Sequence, residues 1–505
     1  MSDFVIKLIV LVVFIGSLLG YGIYHGRNTK SSSDFNTGGR SVPGWVAALS
    51  ERAAAESAWT LVGLPGFAFM FGLISIWVAL GLLLGNILAW TVIAKRMREE
   101  AEKYDAQTYV DWIAKRHAGS KAVTAVRVVG SFIVIFLFAF YIDAQLIGGS
   151  KTLHSLFGLP QTWGVFIFLA VILPYAVYGG FNSVVYADCI QSILMICALV
   201  IAPIYGLWYI TDAPAVWQHS IFDALRLASP THMSLTGGLT GVAAGFMIAN
   251  NFAWVLAYLG GMPHLTTKFM AMKDEHNWRI GRNIAIAWTF FGYLGALLIG
   301  AIGLAIYGPT GIADAEQIMP IVMMRLFPPF IAAVFIVSAI AAMISTADSM
   351  LLVTASEFTE NILKPVFLKG RDISYKKSLL ISRITMLVVG GCALALAFIL
   401  PSNMVYNIVA FAWAALGNPF AVVTCASLFW RKYTGTAALW TMIVGFLGTI
   451  AWHLSPFQAH IDSRLAGIIP AIITAYVVTR FTYGKETDKE SDLKEQVEAS
   501  VGGSN

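Results

Sequence analysis

The chain has 505 residues, of which 58% are hydrophobic and only 12% are charged, with a mean hydropathy of +0.73. Because a soluble protein carries about 25% charged residues, this composition excludes a soluble enzyme and predicts an integral membrane protein. The formal net charge of +5 is small for this size, and the basic residues stand in short clusters between apolar runs. That pattern argues against nucleic acid as a partner.

Thirteen apolar segments are long enough to cross a membrane as helices, because about 20 residues span roughly 30 Å of hydrocarbon. In chain order they lie near residues 4–24, 44–71, 73–95, 123–150, 161–180, 184–212, 236–264, 281–308, 328–362, 378–400, 404–430, 434–453 and 464–483. The first lacks the basic flank and the cleavage site of a signal peptide, so we expect it to be retained. The sequence therefore predicts an all-α polytopic membrane protein with about 13 transmembrane helices.

Lysine and arginine concentrate in alternate loops between these spans. One side carries Arg27, Lys30, Arg40, Lys95, Arg96, Arg98, Lys103, Lys115, Arg116, Lys121, Lys268, Lys273, Arg279, Arg282, Lys364, Lys369, Arg371, Lys376, Lys377, Arg431 and Lys432. The other side holds little more than Lys151, Arg226, Arg325 and Arg464. Because cytoplasmic loops are the basic ones, we expect a protein of the plasma (inner) membrane with its N-terminus outside and its C-terminus in the cytoplasm.

Two polar segments lie outside the spans. Residues 96–118 are charged and amphipathic, which predicts a helix on the cytoplasmic surface. The tail, residues 485–505, is polar with almost no large apolar residues, which predicts disorder. The four cysteines all fall inside predicted spans, where small buried roles are expected for them.

Helix-breaking residues interrupt two of the spans. The second contains Leu64-Pro65-Gly66 after the small-residue run 53–55, and the seventh contains Gly260-Gly261-Met262-Pro263. Broken helices at matching places, five spans apart, indicate a transporter built from two inverted five-helix repeats. The alternative is that glycine and proline are simply frequent in membrane helices.

Several spans carry polar or charged side chains. They are Arg52 and Glu56 in the second span, Asp143 and Gln145 in the fourth, and Asp188 and Gln191 in the sixth. Ionisable groups inside a membrane are costly and mark functional sites, whereas the alternative is a role in helix packing or a place near the interface. For Arg127, Glu357 and Arg383 we expect positions near the interface, with side chains that extend to the membrane surface.

The ninth span contains a run of oxygen-bearing side chains, Ser345-Thr346-Ala347-Asp348-Ser349. A single hydroxyl could bond to its own helix without further meaning, but Asp348 needs an ion, a partner or a cavity. A hard monovalent cation takes about five oxygens, which hydroxyls and the free carbonyls of a broken helix can supply. This pattern is the one expected for sodium coupling.

At these residues the chain resembles the sodium/solute symporter family, and most closely its sodium/proline symporter branch. The resemblance extends from Gly38-Gly39-Arg40-Ser41 to the twelfth span. Its most specific stretches are WTLVGLPG (59–66), YGGFNSVVYADCIQSILM (178–195), SAIAAMISTADSMLLVTASEFTEN (338–361), AFAWAALGNPFA (410–421) and LFWRKYTGTAA (428–438). It implies the LeuT-type fold, with spans two to six and seven to eleven as a five-plus-five inverted repeat.

On that basis the chain divides into five parts. They are residues 1–43 (first helix and cytoplasmic loop), 44–212 (first repeat), 236–430 (second repeat), 431–484 (two C-terminal helices) and 485–505 (the tail).

The resemblance also implies ligand residues, with sodium as the coupling ion and no cofactor. The main sodium site would be formed by Ala53, Glu56, Ala342, Ser345 and Thr346. A second sodium site, present in some relatives, would be formed by Asp188, Ser345, Asp348 and Ser349. The substrate pocket of the proline branch matches Ser57, Tyr141, Trp254, Tyr258 and Pro263, and Asp143 lies near it.

The chain departs from the proline branch at three positions near the cavity. Ala55 stands where that branch carries an aspartate important for sodium, and Glu56 follows it directly. Arg52 and Asp143 replace small or uncharged residues. The cation of Arg52 and the carboxylates of Glu56 and Asp143 could pair with each other, shape a zwitterion site or bind a charged solute, and Glu56, four residues after Arg52, is in position for an intrahelical pair.

The function expected from the sequence is secondary active symport of sodium and a small organic solute, such as proline or a related zwitterion, by alternating access. Proton coupling, or a cationic or carboxylate solute, is the alternative within transporters, and a solute sensor or a channel is a further one. An enzyme is not expected, because no nucleophile, base and oxyanion donor occur together. The expected partners are the solute, sodium and the lipid bilayer, with no obligatory protein partner.

Overall fold

The computed structural model describes residues 2–26, 31–369, 371, 373–400 and 404–502, without the side chains of residues 25, 26, 32 and 487–502. Within these residues the chain is a bundle of helices, and the one β-type contact is a bridge between Val42 and Met272. The all-α prediction is confirmed. Arg27 and Lys30, which the sequence pattern placed in a basic loop, lie outside the described residues.

The longer helices follow one another along the whole chain. The first half forms α1 (Asp3–Gly26), α2 (Gly44–Ala58), α3 (Leu64–Phe71), α4 (Ser75–Leu88), α5 (Ala94–Lys103), α6 (Tyr109–Arg116), α7 (Val123–Phe157), α8 (Gln161–Tyr178), α9 (Phe181–Asp212) and α10 (Ile221–Ala228). The second half forms α11 (Gly241–Phe252), α12 (Pro263–Met270), α13 (Glu275–Tyr307), α14 (Ile318–Leu326), α15 (Pro329–Glu357), α16 (Tyr375–Ile399), α17 (Val405–Phe429), α18 (Gly435–His453) and α19 (Ile468–Gly502).

Short helical segments join or extend them. Single turns occur at Ser32–Thr37, Gly38–Arg40, Gly72–Ile74, Ala253–Val255, Ala315–Gln317, Pro456–Ala459 and Ser463–Ala466. Wider π-helical turns follow α2 at Trp59–Gly63, α4 at Ala89–Ile93 and α15 at Phe358–Phe367.

Eleven helical stretches among the described residues are long and apolar enough to cross a membrane. One of them, Gly44–Lys103, contains two of the predicted spans, which separate at Gly72, where φ is +62°. The predicted seventh span appears only as the shorter apolar stretch Gly241–Val255, because the break at Gly260 divides it from α12. The multi-span architecture is confirmed, whereas the count of thirteen stays a prediction.

Helix α15 lies at the centre of the bundle. It packs against α2, α7 and α9 and is also covered by α1 and α16. Every residue from 335 to 357 on it is buried. The polar run 345–349 is therefore enclosed by other helices, where it avoids the cost of contact with lipid.

The prediction of a single surface helix at 96–118 is wrong. The chain forms two helices there, because Asp105, with φ of +45°, turns it between α5 and α6. Trp112 and Ile113 of α6 are fully buried, and the Tyr109 hydroxyl donates to the Phe420 carbonyl at 3.2 Å. The apolar residues of this segment therefore pack under the bundle.

Glu357 does not extend to the membrane surface as expected. Its carboxylate is fully buried and accepts hydrogen bonds from the Ser131 hydroxyl at 2.9 Å and the Asn361 amide at 2.6 Å. A buried carboxylate needs such donors, because water is absent around it.

The loop before α13 is closed by a helix cap. Oδ1 of Asp274 accepts from the backbone N–H of Asn277 at 2.8 Å and from its side-chain amide at 2.9 Å. These hydrogen bonds stabilise the ionised form and lower the pKa of the Asp274 carboxyl.

The last helix, α19, continues to Gly502 and so includes most of the predicted tail. Residues 503–505 lie outside the described residues, and the disorder predicted for 485–505 stays a prediction. The boundaries of the two repeats likewise stay predictions.

Candidate functional site

The second span is broken at Ser57, ahead of the Leu64-Pro65-Gly66 sequence that first suggested a break. Ser57 has φ of +51° and ψ of −169°, which interrupts the helix between α2 and the turn that follows. The Ala58 N–H donates to Oε1 of Gln145 on α7 at 2.8 Å, and the Trp59 N–H donates to the Ser57 hydroxyl at 3.1 Å. Side chains thus replace the lost helical bonds and hold the break in place.

The hydroxyls of α15 face the carbonyls at the end of α2. The Ser345 hydroxyl lies 2.9 Å from the Ala53 carbonyl, and the Thr346 hydroxyl lies 2.9 Å from the Ala54 carbonyl. Both hydroxyls also lie 2.9 Å from the Ala342 carbonyl of their own helix. We call these five oxygens the hydroxyl–carbonyl cluster. All five residues are at least 95% buried.

Four of the residues predicted for the main sodium site, Ala53, Ala342, Ser345 and Thr346, thus come together. Glu56 is differently engaged: its carbonyl accepts from the Trp59 N–H, and its side chain bonds to Arg52 and Thr60. The structure places the carbonyl of Ala54 against the hydroxyls instead.

Arg52 is held between two carboxylates, those of Glu51 and Glu56, of which only Glu56 was expected from the sequence as a possible partner. Its guanidinium bonds to Glu51 and to Oε1 of Glu56, the latter at 2.9 Å, and all three side chains are fully buried. The guanidinium of Arg52 also donates to the Thr289 hydroxyl at 2.9 Å. The Trp90 indole N–H donates to Oε2 of Glu51 at 3.1 Å. We call Glu51, Arg52 and Glu56 the Arg52 triad.

Aromatic side chains from both broken spans, from α7 and from α17 form one cluster. Its members are Trp59, Tyr141, Trp254, Tyr258, Tyr406 and Trp413. The Tyr141 hydroxyl lies 3.4 Å from the Ser57 hydroxyl and accepts from the Trp413 indole N–H at 2.9 Å. Four predicted substrate residues, Ser57, Tyr141, Trp254 and Tyr258, therefore meet in or beside this aromatic cluster.

The guanidinium of Arg464 covers one side of the aromatic cluster. It lies 4.6 Å from the Trp254 ring and 5.9 Å from the Tyr406 ring, within the range of cation–π attraction. Asp462 fixes it through two hydrogen bonds of 2.9 and 2.8 Å.

Asp143 does not belong to the aromatic cluster. On α7, Tyr141 and Gln145 are four residues apart and share one face, whereas Asp143 lies half a turn away from both. Both of its carboxylate oxygens are buried, and among the described residues neither has a hydrogen-bond partner. The structure therefore separates Asp143 from the other residues predicted for the substrate pocket.

Pro263, the remaining predicted substrate residue, begins α12 and places His264 inside the bundle. The fully buried His264 ring packs edge-on against Phe138 and Tyr141, with ring centroids 5.3 and 6.0 Å apart. Both ring nitrogens lack a partner among the described residues, as do the indole nitrogens of Trp59 and Trp254.

Two of the residues predicted for a second sodium site, Asp188 and Ser349, contact Lys268. The Lys268 ammonium lies 3.4 Å from Oδ2 of Asp188 and 3.2 Å from the Ser349 hydroxyl, and its side chain is 2% exposed. Lys268, which the loop pattern assigned to the cytoplasmic surface, is in fact buried in the second turn of α12. The loop assignment is wrong here because Asp188 pairs with the lysine inside the protein.

Four residues of this region were missed by the sequence prediction. Glu51 precedes Arg52 and His264 follows Pro263, and this neighbouring position in the sequence was the only signal for them. Trp413 lies within a stretch that carried the family resemblance, and Lys268 was hidden among loop charges.

Comparison with known proteins agrees with this architecture. The model of the sodium:solute symporter family matches residues 35–445. Sodium/proline symporter 2 of Staphylococcus saprophyticus is 30% identical over 488 residues, which cover 94% of this chain and 92% of that protein. The osmoregulated proline transporter OpuE of Bacillus subtilis is 32% identical over 476 residues, which cover 92% of this chain and 94% of the relative.

Solved structures show the same fold. A sodium-coupled sialic acid symporter in a substrate-bound outward-open state aligns with a TM-score of 0.76 at 16% identity, covering 94% of this chain and 98% of that one. Mhp1, a nucleobase-cation-symport-1 family transporter in a closed conformation, aligns with a TM-score of 0.52 at 14% identity, covering 90% and 98%. The fold is thus of the LeuT type, as the sequence predicted. The family match extends over most of the chain, and the chain belongs to the sodium:solute symporter family, whose members are sodium-coupled transporters and not enzymes.

Proposed function

We propose that this symporter imports a small neutral zwitterion, with proline as the first solute to test, and that the hydroxyl–carbonyl cluster holds the coupling sodium. The observation that carries the proposal is the meeting of Ser345 and Thr346 with the carbonyls of Ala53 and Ala54, each at 2.9 Å. Carbonyls freed at a broken helix are the usual sodium ligands of such transporters.

Sodium at this cluster would connect the solute site with the ion gradient. The hydroxyl–carbonyl cluster joins α2 to α15. Ser57, which lies beside Tyr141, follows Ala54 by only three residues in the same segment. An ion that orders this segment raises solute affinity, and the solute raises sodium affinity by the same factor. A potential of about 100 mV adds roughly 2.3 kcal/mol for each sodium that enters.

The charges around the aromatic cluster favour a neutral solute. Arg52 is already neutralised by Glu51 and Glu56, and Asp143 lies on another face of α7. Among the described residues beside the cluster, the buried polar atoms without hydrogen-bond partners are the indole nitrogens of Trp59 and Trp254, both ring nitrogens of His264 and one guanidinium nitrogen of Arg464. The charge of Arg464 is balanced by its pairing with Asp462. In the part of the chain that the structure describes, each charged side chain beside the aromatic cluster already has a partner of opposite charge. Proline, which two relatives bear in their names, therefore fits better than a cationic or a carboxylate solute.

The proposed orientation places the N-terminus outside and the C-terminus in the cytoplasm of a plasma membrane, with the solute carried inward. The basic loops support this orientation.

The substrate can be identified with purified protein. Amino acids, betaines, carboxylates and sugars are screened for their effect on the thermal unfolding temperature, once in sodium and once in potassium. We expect proline or a related zwitterion to raise the unfolding temperature in sodium only. Stabilisation by a carboxylate, a cation or a sugar, but by no zwitterion, would contradict the proposed solute class.

The coupling is tested in proteoliposomes loaded with potassium. We expect an inward sodium gradient to concentrate labelled L-proline above the external level, and an equal potassium or choline gradient not to do so. Accumulation that ignores the cation would contradict sodium coupling at any site.

A further inference from the structure

The region expected to hold a second sodium already contains a positive charge that belongs to the protein. Lys268 projects from α12 to Asp188 on α9 and Ser349 on α15, and its side chain is 2% exposed. Ser50 of α2 donates to the same Asp188 oxygen at 2.7 Å. We call Ser50, Asp188, Lys268, Asp348 and Ser349 the lysine cluster.

The contacts of Lys268 are those that a bound cation would make. Its ammonium approaches a carboxylate oxygen and a hydroxyl oxygen, and it lies 5.0 Å from the centre of the Phe181 ring. Asp348 directly precedes Ser349 on α15 and is a second fully buried carboxylate in this region. The ammonium therefore neutralises one of two buried carboxylates.

Ser345, the one residue shared by the two predicted sodium sites, points into the hydroxyl–carbonyl cluster and away from Lys268. Its hydroxyl donates to the carbonyls of Ala53 and Ala342, both at 2.9 Å. The two sites are thus divided: the oxygens of Ser345 and Thr346 face broken α2, while Asp188 and Ser349 face Lys268.

We propose that the Lys268 ammonium takes the place of the second sodium, so that this symporter binds and couples a single sodium ion per solute. A sodium ion in contact with Asp188 and Ser349 would lie within a few ångströms of the ammonium, where the low dielectric of the interior makes two like charges repel strongly. Because the ammonium is covalently attached, it cannot leave with the solute, and it adds nothing to the driving force. The proposal rests on the proposed function for the position of the first sodium.

Equilibrium binding of ²²Na⁺ to the purified protein counts the sites without any solute. We expect about one ion per protein for the wild type and for Lys268→Arg, which keeps the charge. Lys268→Ala should bind about two, because Asp188, Asp348 and Ser349 are then open to sodium. A count of two in the wild type, or of one in a folded Lys268→Ala variant, would overturn the proposal.

The Thr346→Ala variant separates the two assignments. We expect it to lose the single ion of the wild type, and Lys268→Ala/Thr346→Ala to keep one. A wild-type count of one that persists in Thr346→Ala contradicts the main sodium site, whereas a wild-type count of two contradicts the role of Lys268, so the two failures are distinguishable.

A second measurement covers the case in which Lys268→Ala does not fold. In wild-type proteoliposomes without a membrane potential, a tenfold sodium gradient should concentrate labelled L-proline about tenfold for one sodium and about a hundredfold for two. The first result supports the proposal and the second overturns it.

Discussion

At the scale of single residues, several of the charged side chains inside the bundle are held by partners of opposite charge. Arg52 and its two carboxylates show this best, since all three are fully buried and each carboxylate bonds to the guanidinium. A buried ion pair of this kind adds little stability in itself, but the removal of one partner leaves the other charge without compensation. We therefore expect the Arg52 triad to affect stability mainly when one of its members is removed and a buried charge is left unpaired.

Arg52→Met should destabilise the protein by about 3–5 kcal/mol, because Glu51 and Glu56 would then repel each other in a buried site. Thermal and chemical unfolding in detergent would measure this loss. Arg279→Met is the matched control, since Arg279 pairs with Glu275 at 3.0 Å on the surface, where the side chains are 65% and 45% exposed, and such a pair contributes about 0–1 kcal/mol.

A third variant tests the reason for the loss. Arg52→Met/Glu51→Gln/Glu56→Gln carries no charge in the triad and should recover much of the stability. Equal and small effects of Arg52→Met and Arg279→Met would show that the triad does not carry the energy assigned to it.

At the scale of helices, close packing depends on small residues where two backbones meet. A Cβ added at Gly295 of α13 would lie 1.7 Å from the carbonyl oxygen of Leu199 on α9. Small residues permit this approach, which supplies the packing contacts that replace the hydrophobic effect inside a membrane. The α9–α13 contact also supports the helix that carries Asp188.

Gly295→Ala should therefore lower the unfolding temperature and the yield of folded protein, because a backbone oxygen cannot move aside as a side chain can. Gly391→Ala in α16 is the control, since its new Cβ would meet nothing within 4 Å, and it should leave stability unchanged or slightly higher. If both variants unfold at the wild-type temperature, the two helices are not as closely packed as the structure shows.

At the scale of the whole molecule, the hydrophobic pattern predicted the helical fold, because apolar length alone identifies membrane helices. The count of thirteen spans stays a prediction, because the break at Gly260 leaves the seventh span with only a short apolar helix, Gly241–Val255. Ser345 and Thr346 were named from family resemblance, yet only the folded chain shows which carbonyl, that of Ala54, faces Thr346. Lys268 could not be recognised as buried, because its partner Asp188 is 80 residues away in the sequence.

The orientation of the whole chain predicts a labelling pattern. Ser2→Cys, at the start of α1, should react with a membrane-impermeant maleimide in intact cells, whereas Lys432→Cys, before α18, should react only after permeabilisation. The native cysteines lie within helices, so the unsubstituted protein provides the background. The opposite pattern would reverse the proposed topology.

The proposed sodium site of α15 hydroxyls and α2 carbonyls makes a direct prediction for the sodium concentration that half-saturates L-proline uptake. Thr346→Ser should keep the wild-type value, and Thr346→Ala should raise it at least about tenfold, equivalent to about 1.4 kcal/mol of sodium binding. Thr354→Ala, on the same helix, removes a buried hydroxyl that bonds only to Leu351 of its own helix and should behave as the wild type. An unchanged half-saturating sodium concentration in Thr346→Ala would rule out this sodium site.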